Sequence, residues 1–132
     1  FKKFNDTYGH QIGDFVLTEF AACIRSNIRR YDTLARYGGE EFVVILPETN
    51  SEQGLSVAEK LRTMIENHTF QNNAETYHVT ASFGQASAQP VVGDGFNKNE
   101  LINQADQALY EAKKRGRNQV VTFGSKKKWF SF

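Results

Sequence analysis

Between Val16 and Ile28 apolar residues return every three or four positions. Leu17, Phe20, Ile24 and Ile28 form a stripe that Val16 and Ala21 widen, with Glu19, Arg25 and Arg29 outside it. The spacing predicts a long helix that opens at Gly13-Asp14 and buries this stripe. A second helix is expected after Thr49, which forms a capping-box pattern with Glu52; Leu55, Ala58, Leu61 and Ile65 share one face. A third is capped by Asn97 and Glu100 and built on Leu101, Ala105, Ala108, Leu109 and Ala112. It ends at Lys113-Lys114-Arg115-Gly116, where basic residues suit the negative end of the dipole and glycine closes the helix.

Strands are expected where the period changes. Residues 33–37 and 42–46 flank Gly38-Gly39, a hairpin signal, since glycine readily takes the positive φ of tight turns. The unbroken apolar run 42–46 predicts burial on both faces, and Pro47 ends it. Alternation over 77–83 predicts a half-buried strand, and 119–123 a last one. Residues 1–8 form a short aromatic and basic segment ended by Gly9, 90–96 read as a loop, and no internal repeat is visible. Helices alternate with strands, but the central hairpin interrupts the βαβ rhythm. The expected class is an α+β sandwich with a mixed central β-sheet flanked by helices.

Composition narrows the function more than the fold. A chain of 132 residues with 39% hydrophobic and 13% aromatic residues supports one domain with a real core and excludes disorder as its default. The net charge of +1 gives no general nucleic-acid or membrane surface, so anion binding must come from local Lys and Arg clusters. A lone Cys23, with no membrane-length run and no signal peptide, points to a cytoplasmic location. The opening Phe1-Lys2-Lys3 reads as mid-motif, so residues upstream are expected.

Candidate chemistry concentrates in Arg36-Tyr37-Gly38-Gly39-Glu40-Glu41-Phe42. The turn needs no acids; two adjacent carboxylates ahead of an apolar run repel one another and require a cationic partner. Neighbouring strand residues face opposite ways, so one carboxylate suits a metal ion and the other a different role. The plain alternative is a charged tip that keeps a sheet edge soluble.

Five blocks carry a resemblance: residues 1–14, 36–42, 58–62, 79–84 and 105–118. In order and spacing, over residues 1 to about 123, they are similar to the GGDEF domain of diguanylate cyclases, in a Gly-Gly-Glu-Glu-Phe variant. The resemblance implies a nucleotide-cyclase/ferredoxin-like fold over 1–124, with 125–132 a basic, aromatic tail. It also implies condensation of two GTP into cyclic di-GMP with release of pyrophosphate, using Mg²⁺ or Mn²⁺. Glu40 would hold the metal and take the hydroxyl proton, and Glu41 would be the second functional acid. Lys2 would offset charge on the phosphoryl group, with the Phe1 and Lys2 amides near the terminal phosphates and Lys113 and Arg117 gripping them. Asn5 and Asp14 would read guanine, and His10 would lie at the rim. The resemblance further implies a metal-binding Asp on a strand before Phe1.

Arg29-Arg30-Tyr31-Asp32 matches the family's inhibitory site for the product, where arginine forks onto guanine O6 and N7 and aspartate takes the remaining donors. Lys60 would add a cation. A five-residue strand would separate the two sites by roughly 17 Å, so inhibition would be allosteric. One GTP per domain implies a two-fold homodimer, and an upstream sensory region would drive its assembly. Singly, each residue has a plain role: Asp14 an N-cap, Lys113 a dipole partner, Asn5 a turn residue, His10 a surface residue, Arg29 a basic C-terminus. The competing functions are an inactive domain acting as a receptor for cyclic di-GMP or GTP, and an RNA-binding sheet. The second lacks exposed aromatics on its central strand.

Overall fold

The computed structural model describes residues 1–90, 93 and 95–124, so parts of the expected 90–96 loop and the whole 125–132 tail lie outside the described residues. The fold is α+β, with four helices and six strands among the described residues. Two compact units divide the chain, Phe1–Thr49 with Thr63–Val79 and Asn50–Arg62 with Thr80–Phe132.

In the first unit α1 (Lys2–Tyr8) and α2 (His10–Arg25) are joined by Gly9 alone. Gly9, at φ 88, ends α1 and takes the N-cap position of α2. The long helix therefore opens three residues before the expected Gly13-Asp14, and Gly13 lies buried inside it. Val16 and Ile24 of α2 are buried as the stripe requires, beside Ile65 and Phe70 among this unit's most enclosed residues. Tyr8 meets Phe4 tilted, with ring centres 4.7 Å apart, and Tyr77 edge-on at 5.0 Å. Edge-on and tilted rings match the quadrupoles of the aromatic faces, so these contacts anchor the short α1.

The hairpin pairs β1 (Thr33–Gly38) with β2 (Glu41–Ile45) antiparallel, from Thr33 opposite Ile45 to Gly38 opposite Glu41. The register shifts between Arg36 and Gly38, a bulge that strengthens local twist at the tip. β2 is half-buried rather than enclosed on both faces, and its Ile45 is 55% exposed. The reason is topological. Among the described residues β2 has β1 as its one ladder partner, whereas full enclosure belongs to a strand inside a sheet.

A second hairpin, β3 (Phe70–Asn72) with β4 (Glu75–Tyr77), was not expected from the sequence. Asn73, at φ 56, supplies its left-handed turn residue. The expected strand over 77–83 is divided. Residues 77–81 keep the alternation of half-buried and exposed positions, yet 78–82 have no ladder partner among the described residues. Alternation reports which side faces the core; a strand also needs a neighbour.

In the second unit β5 (Phe83–Gln85) and β6 (Val120–Thr122) run parallel, with α4 (Lys98–Lys114) as the crossover. Ala108, Ala112 and Val121 form its buried cluster. α3 (Ser51–Asn67) begins here with a reciprocal cap one residue later than expected. The Gln53 amide donates to Asn50 Oδ1 at 2.8 Å, and the Asn50 amide donates to Gln53 Oε1 at 3.1 Å. Thr49 is thereby released for another partner. Asn97 caps α4 as expected, its Oδ1 accepting from the Asn99 and Glu100 amides.

Candidate functional site

The first unit holds an open groove of about 540 Å³ lined by Asp14, Leu17, Thr18 and Arg25 of α2 and Leu34, Arg36 and Phe42 of the hairpin. Leu17 and Ala21 of the predicted stripe line it, and Phe20 of α2 meets Phe42 tilted, with ring centres 5.3 Å apart. Asp14 is exposed on the second turn of α2, away from the N-cap at Gly9. Its carboxylate therefore has no capping role. Asn5 lies within α1 rather than in a turn, and its Oδ1 is buried with no hydrogen-bond partner. His10 is exposed in the first turn of α2. Lys2 is exposed and Phe1 half-buried at the start of α1.

Arg36 connects the groove to the hairpin tip. Its Nε and Nη2 donate to the Gly39 carbonyl at 2.9 and 2.5 Å. The guanidinium grips the turn backbone between the two strands. Gly39, at φ 50, needs the left-handed region, and the guanidinium fixes the carbonyl that this conformation turns outward. Glu40 is exposed in the turn, while Glu41 opens β2 half-buried. No group of three His, Cys, Asp or Glu that could hold a metal occurs among the described residues. A magnesium ion does not require one, since it is commonly held by one or two carboxylates together with substrate phosphates. The hard oxygen donors at the tip fit that arrangement.

At the other end of β1 the Arg29-Asp32 pair is already engaged. Asp32 is buried, its Oδ2 accepts from the Arg29 amide at 2.6 Å, and its Oδ1 meets Arg29 Nη2 at 3.0 Å. The same Nη2 donates to the Pro47 carbonyl at 3.0 Å and to Thr49 Oγ1 at 2.7 Å, and the guanidinium lies 4.6 Å from the Tyr31 ring centre. Hydrogen bonding to Arg29 holds the Asp32 carboxyl below the usual carboxylate range, against the opposing effect of burial. Asp32 in turn raises Arg29. Cys23 has its thiol pushed up, first by burial and then by Glu19, and so is unsuited to nucleophilic work.

In the second unit Lys113 and Arg117 occupy the end of α4. The Arg117 amide donates to the Ala112 carbonyl at 3.0 Å and Gly116 to Lys113 at 3.4 Å, a Schellman closure with Gly116 at φ 116. Arg117 and Asn118 both take positive φ, 66 and 47. For a non-glycine residue that conformation is costly, and it persists where surrounding contacts enforce it. Here Asn118 Oδ1 accepts from Arg62 Nη1 at 3.0 Å, and its amide donates to Ser82 Oγ at 3.2 Å. Lys60 is exposed on the part of α3 within this unit. Sequence reasoning missed Arg36 and Asn118 and gave Gly13 and Thr49 other roles, a helix opening and a cap. Gly13, Arg36 and Asn118 carried a visible signal, lying inside the matched blocks, and Thr49 did not.

The fold is α+β, with one acid, Asp14, and two arginines, Arg25 and Arg36, lining a groove next to a glycine turn that carries carboxylates. The sequence matches the family described as diguanylate cyclase, GGDEF domain over residues 1–119, and the chain belongs to that family. It is 45% identical over 123 residues to the response regulator PleD of Caulobacter vibrioides, covering 92% of this chain and 26% of that protein. It spans about a quarter to a third of the length of the curated relatives it matches most strongly. Among solved structures it is similar to the GGDEF domain of DgcB from Caulobacter crescentus in complex with c-di-GMP. There the TM-score is 0.84 at 34% identity, covering 94% of this chain and 72% of that one. It is likewise similar to the active GGEEF domain of a diguanylate cyclase from Vibrio cholerae, with TM-score 0.82 and 34% identity, covering 95% and 77%. No helix among the described residues is long and apolar enough to cross a membrane.

Proposed function

We propose that this chain is the catalytic domain of a diguanylate cyclase, joining two GTP into cyclic di-GMP and releasing pyrophosphate. The observation that carries the reading is Arg36. It lines the groove that holds Asp14 and also bonds the Gly39 carbonyl next to Glu40, so a base-reading acid and the acidic tip share one unit. A groove of about 540 Å³ is within the range of small-molecule sites. A relative described as an active GGEEF domain supports glutamate in the third position of the signature.

In this reading Asp14 accepts from guanine N1–H and the exocyclic amine, and Asn5 completes the base contact. The 3′-oxygen of one GTP bonds to the α-phosphorus of the other as the bond to pyrophosphate breaks, and Glu40 takes the hydroxyl proton. Glu40 would also hold Mg²⁺ or Mn²⁺, which when bound offsets phosphate charge and acidifies the attacking hydroxyl. Glu41 is the second acid. Lys2 offsets charge on the phosphoryl group, the Phe1 and Lys2 amides lie near the terminal phosphates, Lys113 and Arg117 hold those phosphates, and His10 borders the base. Arg29 and Asp32, aided by Lys60, bind the product as an inhibitor. The c-di-GMP complex of the DgcB domain supports product binding within this family.

Glu40→Gln preserves shape while removing charge. It is expected to lower cyclic di-GMP formation by at least about a thousandfold, on the order of the loss of a key charge-stabilising group. The measurement is product by chromatography beside GTP binding by calorimetry. Loss of turnover with GTP binding kept supports the reading, and unchanged turnover rejects it.

A further inference from the structure

Gly13 lies inside α2, where glycine weakens a helix relative to alanine, and its backbone is not in the positive-φ region that would require it. A Cβ added there would overlap Asn5 Oδ1 and stand 2.9 Å from Asn5 Cγ. That same oxygen is buried without a hydrogen-bond partner. Two costs meet at one contact, a weakened helix and an unsatisfied carbonyl, and a fold needing only stability would keep neither.

We infer that Gly13 is a positioning residue for base recognition: its missing side chain is the slot that fixes the Asn5 amide. Oxygen points inward against α2, and nitrogen is left as the donor presented to the purine beside Asp14. The orientation follows from chemistry. An oxygen against the Gly13 Cα retains a weak C–H···O contact, whereas the reversed amide would turn N–H donors onto that C–H surface. Held this way against Gly13, the residue preceding Asp14, Asn5 donates to a purine ring acceptor while Asp14 accepts from its donors, a complementary pair for guanine. The inference rests on the reading of Asn5 as a base contact.

The test compares Gly13→Ala, Asn5→Ala and the double variant in the full chain, reading the GTP dissociation constant, KM, kcat and Tm. Each single change is expected to weaken GTP binding and raise KM by about tenfold, the scale of one hydrogen bond in a site, with kcat altered less than twofold. The double variant should be no weaker than Asn5→Ala alone. Alanine at position 13 should lower Tm when Asn5 is present and raise it when residue 5 is alanine, because only the first leaves an overlap. Multiplying losses in the double variant, or a silent Gly13→Ala beside a damaging Asn5→Ala, would overturn the slot while leaving the base reader standing. An Asn5→Ala variant that binds GTP normally would remove both.

Discussion

Arg29 offers five N–H donors, and its Nε and Nη2 are already spent on Asp32, the Pro47 carbonyl and the Thr49 hydroxyl. Two-pronged recognition of guanine needs neighbouring donors, so a ligand at this arginine competes with Thr49 for Nη2. Thr49→Val removes that competitor at nearly constant volume. It is expected to lower the inhibition constant for cyclic di-GMP about fivefold, one modest hydrogen bond, with KM for GTP unchanged. Arg29→Ala should raise the inhibition constant instead, again without moving KM; steady-state inhibition kinetics measure both. Asp32 makes a prediction in pH. Its folded pKa is depressed, so the charged pair contributes stability above the ordinary carboxylate value of about 3.9, and that contribution is lost as pH falls through the lower folded value. Asp32→Asn should therefore lower Tm at pH 7, and its deficit against wild type should close only in strong acid, as thermal melts across pH will record.

Among the elements, α4 packs backbone to backbone on β5 at Gly84. A Cβ at Gly84 would collide with the backbone of Leu109, Ala105 and Ala108. Backbone cannot rotate aside as a flexible side chain can, so Gly84→Ala must separate helix from strand. The expected loss is about 2–3 kcal/mol, read from urea denaturation, with the slope near that of wild type. The sequence foretold α4 well because apolar period, cap and closing glycine agree: Asn97, Ala108, Ala112 and Gly116 each mark the same element. It misplaced the start of α2 because Gly9 serves two helices at once, and a buried Gly13 resembles a boundary when its neighbour Asn5 is unseen. The β3–β4 ribbon escaped notice for a different reason. Three-residue strands carry too few alternations to register, and Asn73 alone marks their turn. For the candidate site, the matched blocks pointed to Asn5, Asp14 and Glu40 and the register of the Arg29–Asp32 pattern to that pair, but long-range contacts such as Arg29 to Thr49 have no local pattern to betray them.

For the whole molecule, the two proposed sites lie at opposite ends of β1, whose six residues span about 20 Å at the rise of an extended strand. If product binds at Arg29 and the GTP phosphates at Glu40, as proposed, the two would lie at opposite ends of the strand, and inhibition would act through the ribbon or through how domains meet. The reaction itself favours the second. Cyclic di-GMP contains two equivalent phosphodiester bonds, so if each chain binds one GTP, as proposed, each bond requires a hydroxyl from one copy and an α-phosphate from another. A closed two-fold pair satisfies both bonds with the same surfaces. If encounter of two loaded chains limits turnover, initial rate at saturating GTP rises with the square of protein concentration at low concentration and becomes linear once pairs saturate. Mixing Glu40→Gln chains with wild type should then poison activity beyond simple dilution, because a mixed pair forms at most one of the two bonds. A rate strictly proportional to protein from nanomolar upward, with mixtures losing only their diluted share, would place both bond-forming steps within a single chain.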